Sequence, residues 1–415
     1  MIAVHSFTLA NGLSACHLHD PASRAASVQV WYRVGSAHET ARLFGAAHLL
    51  EHLAFKGTPR VGSEEHMRII QRAGGQANAF TTEEVTVMHQ TLPMESVELA
   101  LELEADRMEN LVLAPEAFER ERAVVLEEYK ERIENQPLMA AVSRARLRLL
   151  GSHPFAHDPA GTRESLAGLT VDDLRAFYHA YYHPGNAVLV TAGSFGPDEA
   201  HAMAERTLGK VACRGGSAPP PPPFPGTFPD SIEEPIPLKA HAHALLFILP
   251  HDPALYHPLT LLQSYLAEGE NALLKKRIQE KRFWVLSAGA MFYPALPGFL
   301  MAFYSLDLPV SKTYGFEKKI LRLLAEIGDR GIPENRFEEL KGRMAVGLLS
   351  SLHGTDKKAL RLAECVLLRG RADYFFRDGE ILQAMRGDEV RAAAGRLIRA
   401  PRARILLKGG WWKRS

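Results

Sequence analysis

Five consecutive prolines, Pro219 to Pro223, lie near the middle of this 415-residue chain, followed closely by Pro225 and Pro229. Proline fixes φ and has no N–H, so such a run adopts polyproline II and cannot continue a helix or a central strand. No single sheet or bundle threads through it. The sequence is therefore read as two domains, 1–213 and 235–415, joined by a Pro-rich linker over 214–234. Each part is long enough to bury a core without disulfide or metal staples.

The two parts are alike in order. The first closes with a helix opening at Asp172-Asp173-Leu174-Arg175-Ala176, then Pro184 and the strand Ala187-Val188-Leu189-Val190-Thr191-Ala192-Gly193. The second closes with Asp388-Glu389-Val390-Arg391-Ala392, Pro401 and Ala403-Arg404-Ile405-Leu406-Leu407-Lys408-Gly409. Both open with a strand, 27–34 and 242–249, that leads into helical sequence. A duplicated unit accounts for this: an α+β fold of two homologous α/β-sandwich halves, each a sheet packed with helices. In the first half, residues 43–56, 62–73, 95–111 and 115–135 carry helical periodicity and 76–92 reads as a pair of strands. Thr170-Val171-Asp172-Asp173 is a capping box.

Bulk properties exclude several classes. Lys+Arg 49 against Asp+Glu 48 leaves a net charge of +1, with no global pull toward nucleic acid or an anionic membrane. The basic clusters Lys275-Lys276-Arg277 and Arg399 to Arg404 read as solvated surface. Cys16, Cys213 and Cys365 are too scattered for a disulfide framework or a cysteine zinc ribbon. No apolar run approaches the ~18 residues of a membrane span, and Met1 to Ser6 does not open a signal peptide. The expectation is a soluble, cytoplasmic chain.

Chemistry concentrates in Phe44-Gly45-Ala46-Ala47-His48-Leu49-Leu50-Glu51-His52-Leu53-Ala54-Phe55. A helix apolar on all sides is buried, and unpaired polar groups inside it cost a few kcal/mol. His48 and His52 stand at i, i+4 on one face, with Glu51 beside them. This H-x-x-E-H spacing can put two imidazoles on one ion, with the carboxylate as general base. The same residues can also be two core histidines paired with a glutamate. A catalytic zinc takes three protein ligands and leaves one position open. Glu121 and Glu128, seven residues apart on the apolar side of the 115–135 helix with Phe118, Val125 and Tyr129, offer the third. Glu128 is the best candidate ligand, and Glu121 a carboxylate that orients a histidine.

With Phe55-Lys56-Gly57-Thr58, Gly74-Gly75-x-x-Asn78-Ala79, Tyr181-Tyr182-His183-Pro184 and Gly193 in order around this motif, the chain resembles the pitrilysin-like (M16-type) zinc peptidases. That family also holds the mitochondrial processing peptidases. The resemblance is dense over about residues 6–200 and diffuse beyond. It implies one Zn2+ per chain bound by His48, His52 and Glu128, with Glu51 as general base and Glu121 in support. It also implies an edge strand at Asn78 and Ala79 that pairs with an extended peptide substrate. Met88 stands where members often carry an aromatic. In members that work alone or as homodimers, the second half carries an Arg and a Tyr seven residues apart. Here Gln279 and Leu286 fall at those positions. Either a homologous partner subunit supplies the pair, or Arg277 or Arg282 substitutes for it. The reading adopted is a zinc endopeptidase acting on extended or unfolded polypeptides as the zinc-bearing subunit of a heterodimer. The alternative is a catalytically silent metal-binding subunit or scaffold. His153/His157, His179/His183 and His241/His243 read as loop, helix-end and surface residues.

Overall fold

The computed structural model describes residues 2–229, 231–308 and 315–409. In chain order, the first half contains β1 (Ala3–Thr8), β2 (Ser14–His19), β3 (Ala26–Tyr32), α1 (Ala46–Leu53), α2 (Glu65–Arg72), β4 (Gln76–Thr81) and β5 (Thr86–Leu92). It continues with α3 (Val97–Asn110), α4 (Pro115–Tyr129), α5 (Pro137–Leu150), α6 (Arg163–Gly168), α7 (Val171–Tyr181), β6 (Ala187–Gly193) and α8 (Pro197–Arg206). The second half contains β7 (Ser231–Ile236), β8 (His241–Leu249), α9 (Tyr256–Ala267), β9 (Val285–Ala295), β10 (Gly298–Asp307) and α10 (Phe316–Arg330). It ends with α11 (Glu334–Ser351), α12 (Thr355–Leu367), α13 (Tyr374–Ala384), α14 (Gly387–Arg399) and β11 (Arg402–Gly409).

The sheets reveal the duplication. One runs β1-β2-β6-β3-β5-β4 and the other β7-β11-β8-β10-β9. Remove β1 and the orders coincide, with β7 in the place of β2 and β9 in the place of β4. The hand of each pairing coincides too: β2 with β6 and β7 with β11 are parallel, while the other pairs are antiparallel. The halves are homologous α/β units, as their matching sequence order implies.

Two compact units result. One comprises Met1–Tyr129, His157–Pro221 and Leu349–Phe375; the other comprises Lys130–Ala156, Pro222–Leu348 and Phe376–Ser415. One division falls inside the proline run. Each unit also takes a segment from the opposite half of the sequence: α5 belongs to the second unit and α12 to the first.

β3 is buried along its whole length, because both faces of the first sheet are covered. On one face, Val28, Val30, Tyr32 and Met88 pack with Leu49, Leu50 and Leu53 of α1. Fully burying each such leucine is worth about 1.5–3 kcal/mol, and an eight-residue helix has little stability without it. On the other face, Ala359, Leu362 and Ala363 of α12 pack with Trp31, Val87, Val188 and Val190. Asp356 at the start of α12 accepts from Gln29 Nε2 at 3.0 Å and Ser27 Oγ at 3.1 Å.

Helix limits differ from expectation at three places, one being α2, which begins at Glu65 rather than at residue 62, after Glu64 with a left-handed φ of 62°. The 43–56 helix is shorter, because Gly45 takes a left-handed φ of 94° and α1 begins only at Ala46. The 115–135 helix divides into α4 and a five-residue π-helical turn, Lys130–Glu134. No helix of the described residues is long and apolar enough to cross a membrane.

Candidate metal centre

α1 and α4 lie against each other in the first unit. Five of the eight residues of α1 are buried, which leaves His48, Glu51 and His52 as its part-exposed polar face. The i, i+4 spacing stacks the two imidazoles edge to face, with ring centroids 4.8 Å apart. On α4, Phe118 and Val125 anchor the helix in the core, and Glu121 and Glu128 emerge one above the other beside them.

Glu128 Oε2 stands 3.8 Å from His48 Nε2 and 3.6 Å from His52 Nε2. Ligand atoms about 2.1 Å from a tetrahedral zinc are separated by about 3.4 Å, so this donor set fits the ion with small side-chain adjustments. Among the described residues, His48, His52 and Glu128 are the one His/Cys/Asp/Glu trio whose ligand atoms converge, all within 4.8 Å of one another.

The surroundings favour metal-ready histidines. Glu121 Oε2 lies 3.4 Å from His52 Nδ1. An N–H at Nδ1 directed to this carboxylate leaves Nε2 as the lone-pair donor facing Glu128. Lys56 Nζ holds the other Glu121 oxygen at 2.9 Å and also pairs with Glu64. Thr58, two residues on, donates to Asp106 and fixes the turn that carries Lys56.

Glu51 accepts a hydrogen bond from Thr81 Oγ1 at 2.7 Å. Burial raises its carboxyl above the ordinary value; the Thr81 bond and His52 oppose the shift, and the Glu128 charge adds to it. A carboxyl pKa moved toward neutrality suits a proton acceptor. Thr81 is the last residue of β4, and β4 is an edge strand. Side chains alternate along it: Ala79 shares the face of Thr81, toward α1, while Asn78 is on the other face, opposite His89. Asn78 turns its Oδ1 back to the Ala79 N–H at 2.9 Å. Met88 faces inward and is 1% exposed.

The remaining sequence candidates have their own partners. Gln279 Nε2 donates to the Leu286 carbonyl oxygen at 2.9 Å, so these two residues meet each other in the second unit. His153 Nε2 contacts the Pro222 carbonyl oxygen at 3.0 Å and His157 Nε2 contacts Glu39 at 3.0 Å. His243 is half-buried, 3.4 Å from Asp307, rather than on the surface. Sequence reasoning missed Lys56 and Thr81 as parts of the site. Lys56 had a signal, being one turn beyond His52 in an otherwise apolar run. Thr81 had only its two-residue spacing from Ala79.

Comparison with known proteins agrees with this chemistry. The insulinase model (peptidase family M16) matches residues 15–150, and the model of the peptidase M16 inactive domain matches residues 168–344. An uncharacterized zinc protease of Mycobacterium leprae is 31% identical over 372 residues, covering 88% of this chain and 82% of that one. The mitochondrial-processing peptidase subunit beta of Blastocladiella emersonii is 32% identical over 210 residues, 51% of this chain and 45% of that one. A crystal structure of a protease from Helicobacter pylori superimposes with a TM-score of 0.87 at 22% identity, covering 98% of this chain and all of that one. The Mycobacterium leprae relative is named a zinc protease, and the matched family is one of metallopeptidase hydrolases. The chain belongs to peptidase family M16, the pitrilysin-like zinc proteases.

Proposed function

We propose that this chain is a zinc-dependent endopeptidase that hydrolyses peptide bonds in extended or unfolded polypeptides, with one zinc held by His48, His52 and Glu128. The observation that carries this is the convergence of those three ligand atoms on the helix face that also presents Glu51, tied by Thr81 to an edge strand. Zinc bound there would act as a Lewis acid toward the scissile carbonyl and make water acidic near pH 7.

The chain's own groups do the rest. Glu51 takes a proton from water and returns it to the leaving amine, and Thr81 holds its carboxylate in place. Glu121, itself held by Lys56, orients His52. β4 is an edge strand, so an extended substrate can add along Asn78 and Ala79 as a further strand whatever its side chains. Gln279 and Leu286 provide neither the cation nor the phenol that steadies an oxyanion, and the Gln279 amide is engaged by the Leu286 carbonyl. The missing pair comes, in this reading, from a homologous partner subunit in a heterodimer. Loss of one oxyanion donor costs about 10²–10³ in rate, which favours dependence on that partner.

The test is Glu51→Gln in the purified complex, with peptide cleavage and bound zinc measured on the same sample. Loss of cleavage with zinc retained is expected. Cleavage that survives the change overturns the mechanism. A wild-type chain that binds zinc yet cleaves nothing with any co-purifying subunit is a metal-binding scaffold instead.

A further inference from the structure

Glu39 is a fully buried carboxylate outside the ligands and the base. Its Oε2 accepts from the Gly45 N–H and its Oε1 from the Ala47 N–H, both at 2.8 Å. These are the N-cap and the second residue of α1. His157 Nε2 lies 3.0 Å from Glu39 Oε2, and its ring stacks on Phe44 at a centroid distance of 3.6 Å. Burial pushes the Glu39 carboxyl upward, and the His157 contact and the two backbone donors act against it.

The backbone explains why the cap comes from a distance. The first N–H groups of a helix have no partner within it, and a Ser, Thr, Asp or Asn at the N-cap normally supplies one. That position here is Gly45, with φ 94°, and a Cβ added to it would stand 2.7 Å from Leu166 and 3.1 Å from the Ala160 carbonyl oxygen. No side chain fits. Glu39 supplies the missing acceptors from six residues upstream, and its charge lies at the positive end of the helix dipole.

His48 is the third residue of α1 and so belongs to the turn that Glu39 holds, whereas His52 is in the last turn. We infer that Glu39 is a positioning residue for the metal centre: it fixes the first turn of α1, and thereby His48, relative to His52 and Glu128, while His157 fixes Glu39. This deepens the zinc reading and rests on it.

Glu39→Gln tests it in the full chain. The amide oxygen can accept one N–H, but the NH2 group then faces the other donor. Two quantities are read: zinc affinity by competition with a chromophoric chelator, and amide exchange at Gly45 and Ala47 in metal-free protein. Zinc binding is expected to weaken by roughly 10–100-fold, with exchange at those amides faster by about tenfold or more. Glu98→Gln, which removes a carboxylate from a surface pair with Arg206, should leave both unchanged. His157→Asn, which withdraws the support while keeping both caps, should move both in the same direction by less, and it serves if Glu39→Gln does not fold. Wild-type zinc binding that neither variant weakens overturns this inference alone. A wild type that binds no zinc overturns the reading of the site itself.

Discussion

Replacing Glu121 with Gln should weaken zinc binding without unfolding the chain. The carboxylate is 13% exposed and lies between two cationic or proton-donating groups, Lys56 Nζ at 2.9 Å and His52 Nδ1 at 3.4 Å. A hydrogen bond to a charged acceptor is worth about 1.5–3 kcal/mol and a neutral one about 0.5–1.5 kcal/mol. The amide therefore gives up about 1–2 kcal/mol of support for His52, or roughly 5–30-fold in zinc Kd at 1.4 kcal/mol per decade. Lys56 keeps Glu64 as a partner, so global stability should change little. Chelator competition at fixed pH reads the affinity, and urea unfolding of the metal-free protein reads the stability. A Kd unchanged to within about twofold, with His48→Ala abolishing binding, would refute the argument that Glu121 sets His52 for the metal.

Other consequences are equally measurable. Burial takes the His66 imidazole down from its ordinary 6.5 to about 2, so between those values the unfolded chain holds a proton that the folded chain does not. Its contribution to stability is intact above pH 6.5 and declines as pH falls below it, by up to about 1.4 kcal/mol per unit; His66→Phe should flatten urea midpoints between pH 6.5 and 4.5, and an unchanged slope would exclude His66 as the cause. Gly45→Ala meets both a left-handed φ and the Leu166 side chain, and should cost about 1–2 kcal/mol from backbone strain alone, read as a lower urea midpoint. Asp356→Ala takes the carboxylate acceptor from the buried Ser27 hydroxyl and the partner from His89, a loss of about 1–3 kcal/mol that unfolding curves would detect.

The sequence carried much of the site because helical periodicity turns spacing into geometry. His48 and His52 four apart, and Glu121 and Glu128 seven apart, had to share faces whatever the tertiary structure. Glu39 was invisible by the same logic: its partners are backbone N–H groups, and no spacing rule links a buried acid to a glycine six residues later. The Gly45 conformation, set by contact with the Leu166 and Ala160 region, also hid the true start of α1. The proline run marks a break in composition because its chemistry is local. The placements of α5 and α12 were not legible, because each helix's preference among sheets lies in distant contacts, such as Arg144 with Glu234, 90 residues apart, and Asp356 with Gln29, 327 residues apart.

The crossing of α12 into the first unit sets the order of events during synthesis. The face formed by Trp31, Val87, Val188 and Val190 is complete once β6 has been made at residue 193, yet its cover, Ala359 to Ala363, is translated more than a hundred residues later. At ordinary ribosome speeds of about 5–20 residues per second, that apolar face waits roughly 10–35 s for its own helix. A nascent chain in this interval presents a ready docking surface to chaperones and to other unfinished copies. The first half expressed alone would keep that surface permanently, and the segment 349–375 supplied separately is the natural peptide to cover it.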